Sequence, residues 1–92
     1  MNCIDFYVKH LETGDYYESL QSAYDNPIVQ SSDTLRMNSS VFYENITFDR
    51  DIVVTLEGGY ECDFFSRIGK STVNGALVIS SGTVIIDGII II

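Results

Sequence analysis

The strongest constraint on this chain lies in residues 42–92, where glycines at 69, 75, 82 and 88 recur every six or seven residues. Short β-branched runs stand between them, among them STV, LVI, TVII and IIII. That rhythm is too tight for helices and too short for ordinary hairpin strands. It predicts strand, turn, strand, turn wound about an apolar axis, a mainly β chain folded as a short parallel β-solenoid of about two coils. Three runs (IVV, VII, IIII) are apolar on both faces, as parallel strands buried on both sides are. Their outward isoleucines therefore imply something that covers them.

With three faces per turn, Leu35–Met37 opens face one, Asn45–Phe48 is face two and Ile52–Leu56 is face three. Thr72–Val73 then returns to face one, Leu77–Ile79 to face two, Thr83–Ile86 to face three and Ile89–Ile92 to face one. This layout puts Val73 between Leu35 and the terminal isoleucines, and Ile46 or Phe48 beneath Leu77 or Ile79.

Residues 1–14 alternate loosely, with Ile4, Phe6 and Val8 able to share one face of a short strand. Asp15-Tyr-Tyr-Glu18 has the form of a capping box. Tyr17, Leu20, Ala23 and Tyr24 follow at helical spacing, and Asn26-Pro27 ends the run. The expectation is one amphipathic helix over 15–26 that caps the coil, with Leu20 and Tyr24 against Leu35. Coils fill 34–92, a loop interrupts them at 60–70, and residues 1–92 form one domain.

The runs Phe42-Tyr-Glu-Asn-Ile-Thr-Phe48, Ile52-Val-Val-Thr-Leu-Glu-Gly-Gly-Tyr60 and Ser71-Thr-Val-Asn-Gly75 resemble the opening coils of pectin-lyase-like right-handed parallel β-helices. A closer resemblance is to a domain of about this length that ends many large exported proteins of metal-reducing bacteria. It covers residues 16–92 through ENIT, VTLEGGYEC and TVNGALVISSGTV. The resemblance implies a right-handed coil and an extracellular or cell-surface origin. It implies nothing about catalysis, because the carboxylate or basic clusters of the pectin-cleaving relatives have no match here.

Little else points to chemistry. His10 is the only histidine and reads as a partly exposed strand-end residue. Asp49, Asp51, Glu57, Glu61, Asp63 and Asp87 match no calcium-loop spacing and read as solvated turn carboxylates. No catalytic residue, metal site or cofactor is expected, and the chain is not expected to be an enzyme. Cys3 and Cys62 form no CxxC pair. They are either a disulfide, in an exported chain, or two buried thiols in a cytosolic one. Asn38-Ser-Ser and Asn45-Ile-Thr match the glycosylation sequon. A net charge of −8 opposes nucleic acid and anionic membrane surfaces. No secretory leader is recognised after Met1, and Ile89–Ile92 is too short to span a bilayer.

Two functions follow as expectations. The first is a non-catalytic structural or assembly module that associates with itself, possibly as a filament, or with neighbouring domains of a larger chain. Its contact surface would be the open C-terminal end, through Ile85, Ile86, Ile89, Ile90, Ile91 and Ile92. The alternative is a carbohydrate-binding or adhesion module that uses a recognition loop containing Tyr60, Phe64, Phe65 and Arg67.

Overall fold

The structure is a computed structural model that describes residues 6–92. Ile4 and Cys3, named above, lie outside the described residues. The chain order is β1 (Val8–His10), β2 (Tyr16–Tyr17), α1 (Leu20–Asp25), β3 (Asp33–Asn38), β4 (Val41–Phe42) and β5 (Ile46–Phe48). Then come β6 (Val53–Tyr60), β7 (Ser71–Val73), β8 (Leu77–Ile79), β9 (Thr83–Asp87) and β10 (Ile89–Ile91).

These strands form three sheets, ordered β2-β1-β3-β6-β9, β10-β7-β4 and β5-β8. The expected right-handed parallel β-solenoid is not the class of this fold. The largest sheet is mixed, because β1 runs antiparallel to both β2 and β3. The molecule is a mainly β globule with mixed sheets and one short helix. The reason lies at the N-terminus, where the chain reverses through Gly14 at φ +80°. This hairpin lays β1 and β2 on the largest sheet instead of beginning a coil.

Beyond β3 the pairings are parallel. Leu35 lies beside Leu56, and Leu56 beside Ile86. Ile46 lies beside Leu77 and Phe48 beside Ile79. Val73 has Phe42 and Ile91 as neighbours, not Leu35 as expected. Leu35, Met37, Phe42, Ile46, Phe48, Val54, Leu56 and Val73 meet in one core with Leu20, Ala23, Tyr24 and Val29.

The helix is shorter than expected. Asp15 does not cap it, and Tyr16 and Tyr17 belong to β2, opposite Lys9 and Val8. Ser19 is the cap, its side chain accepting the Ser22 N–H. The Glu44 carboxylate takes the next donors, from Leu20 N at 3.0 Å and Gln21 N at 3.1 Å. A distant carboxylate, not the expected Asp15–Glu18 box, thus satisfies free donors of the first turn. Asn26, before Pro27, is extended and ends the helix.

Gly58-Gly59 marks an irregularity. Arg36 pairs with Glu57 but Asn38 with Tyr60, so β6 carries one extra residue. Gly59 has φ +86°, and a Cβ there would overlap the Gly69 carbonyl. No side chain fits that bulge.

Leu20 is fully buried under the core. Leu20→Asp is expected to cost about 3 kcal/mol or more, the cost of an unpaired buried charge. Urea denaturation measures it, and an unchanged midpoint would show that α1 does not seal the core.

Candidate functional site

Three places compete for function. The first is a group that spacing alone did not reveal. His10 Nε2, Glu12 Oε1 and Asp33 Oδ2 all lie within 4.8 Å of one another. His10 is fully buried, where a partly exposed residue was expected. Its Nε2 lies 2.7 Å from Asp33 Oδ2 and its Nδ1 2.9 Å from Thr13 Oγ1. Both carboxylates are also engaged by backbone donors: Thr34 N reaches Glu12 Oε1 at 2.8 Å, and Gln30 N reaches Asp33 Oδ2 at 2.9 Å. With ring and carboxylates so occupied, the group is a clasp that ties the end of β1 and its turn to the start of β3. The sequence signal for it was weak, because Asp33 stands 23 residues from His10.

The second place is the loop at 60–70. Its aromatics do not form an open platform. Tyr60 and Phe64 are buried and Phe65 alone points outward. Phe64 reaches its position with φ +57° and packs on Tyr16 at 5.7 Å between ring centroids. The Arg36 and Arg67 guanidiniums lie over the Tyr60 ring at 4.6 and 5.2 Å. Arg36 also pairs with Glu57 at 3.0 Å, and Arg67 with Asp87 at 3.1 Å. Burial, followed by the Glu57 carboxylate, pushes the Tyr60 phenol above the ordinary tyrosine value. Burial and Asp15 raise Tyr17 in the same direction. Cys62, on this loop, is disulfide-bonded. Among the described residues no cysteine is free, and Cys3, the other half of the candidate pair, lies outside them.

Other sequence candidates separate in space. Asp63 accepts the Phe65 and Ser66 N–H groups and shapes the loop. Asp49 and Asp51 are exposed turn residues. Asn38, in the first sequon, is buried, whereas Asn45 is exposed with its Oδ1 accepting from Ala76 N. A cleft of about 330 Å³ lies between Tyr7, Glu18, Phe42, Tyr43 and Glu44, and both Glu44 oxygens in it are already spent on α1.

The third place is the far edge of the sheets. β8, β9 and β10 each end their sheet, with no described strand on the other side. Phe48, Leu56 and Val73 are 0%, 1% and 1% exposed, yet their register partners Ile79, Ile86 and Ile91 are 49%, 40% and 47% exposed. The inward column continues, and no described strand lies beyond it. Leu77, Val84 and Ile89 pack partly against the same core. Ile85, Ile90 and Ile92 are exposed beside them. This edge joins all six isoleucines of the sequence-derived contact surface and adds Leu77, Val78, Ile79 and Val84.

Comparison of the chain with protein-family models, with curated proteins and with solved structures finds no match. Among the described residues no helix is long and apolar enough to cross a membrane.

Two outcomes follow from these sites. Asp33→Ala strands the buried His10 nitrogen and the Gln30 N–H, and is expected to lower unfolding stability by about 1–3 kcal/mol in urea titration. The native state holds the Tyr17 and Tyr60 protons more tightly than the unfolded chain does. Stability should therefore fall as pH rises past the unfolded tyrosine value of about 10. Phenolate absorbance should show Tyr17 and Tyr60 titrating later in the folded than in the unfolded chain, and unchanged midpoints for these two would contradict it.

Proposed function

We propose that this chain is a non-catalytic structural module of an extracellular or cell-surface assembly, and that its work is self-association through β8, β9 and β10. The observation that carries the reading is the register comparison above. Ile79, Ile86 and Ile91 lie in register with buried core residues yet are half-exposed, and among the described residues no strand covers them. An edge of unpaired backbone groups beside apolar side chains is a template for another chain. Completing the burial of three half-exposed isoleucines contributes roughly 2–4 kcal/mol per copy, before the costs of association.

The disulfide at Cys62 supports an oxidising compartment, as does the resemblance to the terminal domain of exported proteins. Non-catalytic behaviour is supported by the lone histidine, whose two nitrogens and neighbouring carboxylates are committed to the clasp. The alternative, carbohydrate binding through the 60–70 loop, has weaker support, because two of its three aromatics are buried.

Sedimentation across protein concentration tests the reading. The wild-type chain should associate in the micromolar range. Ile86→Lys combined with Ile91→Lys should weaken association about a hundredfold or more, from the loss of two apolar contacts at about 1.5 kcal/mol each. A wild-type chain that stays monomeric at high micromolar concentration would overturn the proposal. A glycan that raises the melting temperature would favour the alternative.

A further inference from the structure

Resting on that reading, we infer that two copies close as a two-fold dimer in which β9 pairs antiparallel with β9 of the second copy about Ile85, while each β8 pairs with the other copy's β10. Head-to-tail growth needs an acceptor at the opposite edges, and two of those three are already occupied. The outer side of β3 is taken by β1, and β1 by β2. The outer side of β5 is taken by a side chain acting as a strand. Gln21 Nε2 donates to the Thr47 carbonyl at 3.0 Å, and Gln21 Oε1 accepts from Thr47 N at 2.7 Å. Among the described residues only the two-residue β4 has no strand on its outer side. A heterologous chain of copies therefore finds one short acceptor, whereas a two-fold contact needs only the open edge itself.

That edge is self-complementary in hydrogen-bond parity. Thr83 donates to Ile52, so Thr83, Ile85 and Asp87 direct their backbone groups at β6, and Val84 and Ile86 direct theirs outward. Antiparallel pairing about Ile85 sets Val84 against the second copy's Ile86, both with free groups, and leaves Ile85 opposite Ile85 in a non-hydrogen-bonded pair. The flanking strands agree. Ser80 donates to Phe48 and Ile92 to Val73, which leaves Leu77, Ile79, Ile89 and Ile91 facing outward. β8 and β10 are each three residues long, and pairing Val78 with Ile90 matches every free group. An unrelated partner strand would have no reason to meet all three conditions.

Charge favours the same contact. The chain carries 18 Lys, Arg, Asp and Glu residues (5 + 13) and a net charge of −8, but residues 71–92 hold only Asp87. Arg67 already pairs with it at 3.1 Å. The two-fold at Ile85 sets the two Asp87 residues four steps apart, about 13 Å along the strands. That exceeds the Debye length of about 10 Å at 0.1 M salt. The contact joins the one neutral region of an acidic molecule and keeps its like charges apart.

Cysteine cross-linking of the full chain tests the register. In a non-hydrogen-bonded antiparallel pair the opposed Cα atoms sit about 4.5 Å apart, within disulfide reach. Ile85→Cys should therefore give an oxidised species of twice 10.3 kDa, linked at position 85 by peptide mapping. Ile68→Cys, exposed on the loop, should give none. The double variant Val78→Cys with Ile90→Cys tests the flanking pair independently, with far-UV circular dichroism checking the fold of each variant. Sedimentation of the wild-type chain should plateau at the dimer. Growth with concentration past the dimer would overturn the closed pair and leave self-association standing. A dimer in which neither cysteine design links would overturn the register, and monomers throughout would remove both proposals.

Discussion

Stacking of inward side chains along the parallel pairings is the interaction on which the rest of this molecule depends. Leu35, Leu56 and Ile86 form one column, Phe42, Val73 and Ile91 a second, and Ile46 with Leu77 and Phe48 with Ile79 a third. A member stays dry only when a strand or another packed group covers it on either side: Phe42 lies against the Tyr7 ring, and Phe48 against Tyr24. The columns meet in one core, so a rung contributes apolar burial and backbone pairing together. A structure held this way has two ends that must be dealt with, and this chain treats them differently.

At the N-terminal end several unrelated contacts converge. The β1–β2 hairpin covers β3, α1 inserts Leu20, Ala23 and Tyr24, and the Gln21 amide satisfies Thr47. Tyr24 packs edge-on against Phe48 at 4.8 Å, and its hydroxyl accepts the Arg50 N–H at 2.7 Å. The His10–Asp33 clasp then fixes the hairpin to the sheet. Buried polar groups are tolerable here because nearly all find partners; among the described residues only the Asn38 side-chain amide is buried without one. At the other end the same columns finish on half-exposed isoleucines. The proposed function rests on that asymmetry.

Much of the organisation was legible in the residues. Gly75, Gly82 and Gly88 all take positive φ, and the short β-branched runs between them are strands. The layout of faces brought Ile46 and Phe48 to Leu77 and Ile79, but set Val73 beside Leu35 where the structure has Phe42. The run Ile85-Ile-Asp-Gly-Ile-Ile-Ile-Ile92 drew attention to the C-terminal isoleucines, and five of its six lie exposed in the structure. Two neighbouring readings went astray for a common reason. Asp15 and Glu18 carry a capping signature, but Tyr16 and Tyr17 pair across a hairpin, and cross-strand aromatic contacts outweigh a weak helical preference. His10 looked like a solvated strand end because Asp33, its partner, is remote in sequence.

The sequence by itself determined where the strands from β5 onward and the glycine turns between them fall, since glycine conformation and β-branched runs are local properties of the chain. Only the tertiary structure decided that β1 runs antiparallel on the largest sheet, that Glu44 rather than Glu18 serves the helix, and that one end is sealed while the other lies open. Strand direction and edge coverage are set by which distant segments bury the most apolar surface together, and that competition leaves no local mark on the residues that win it.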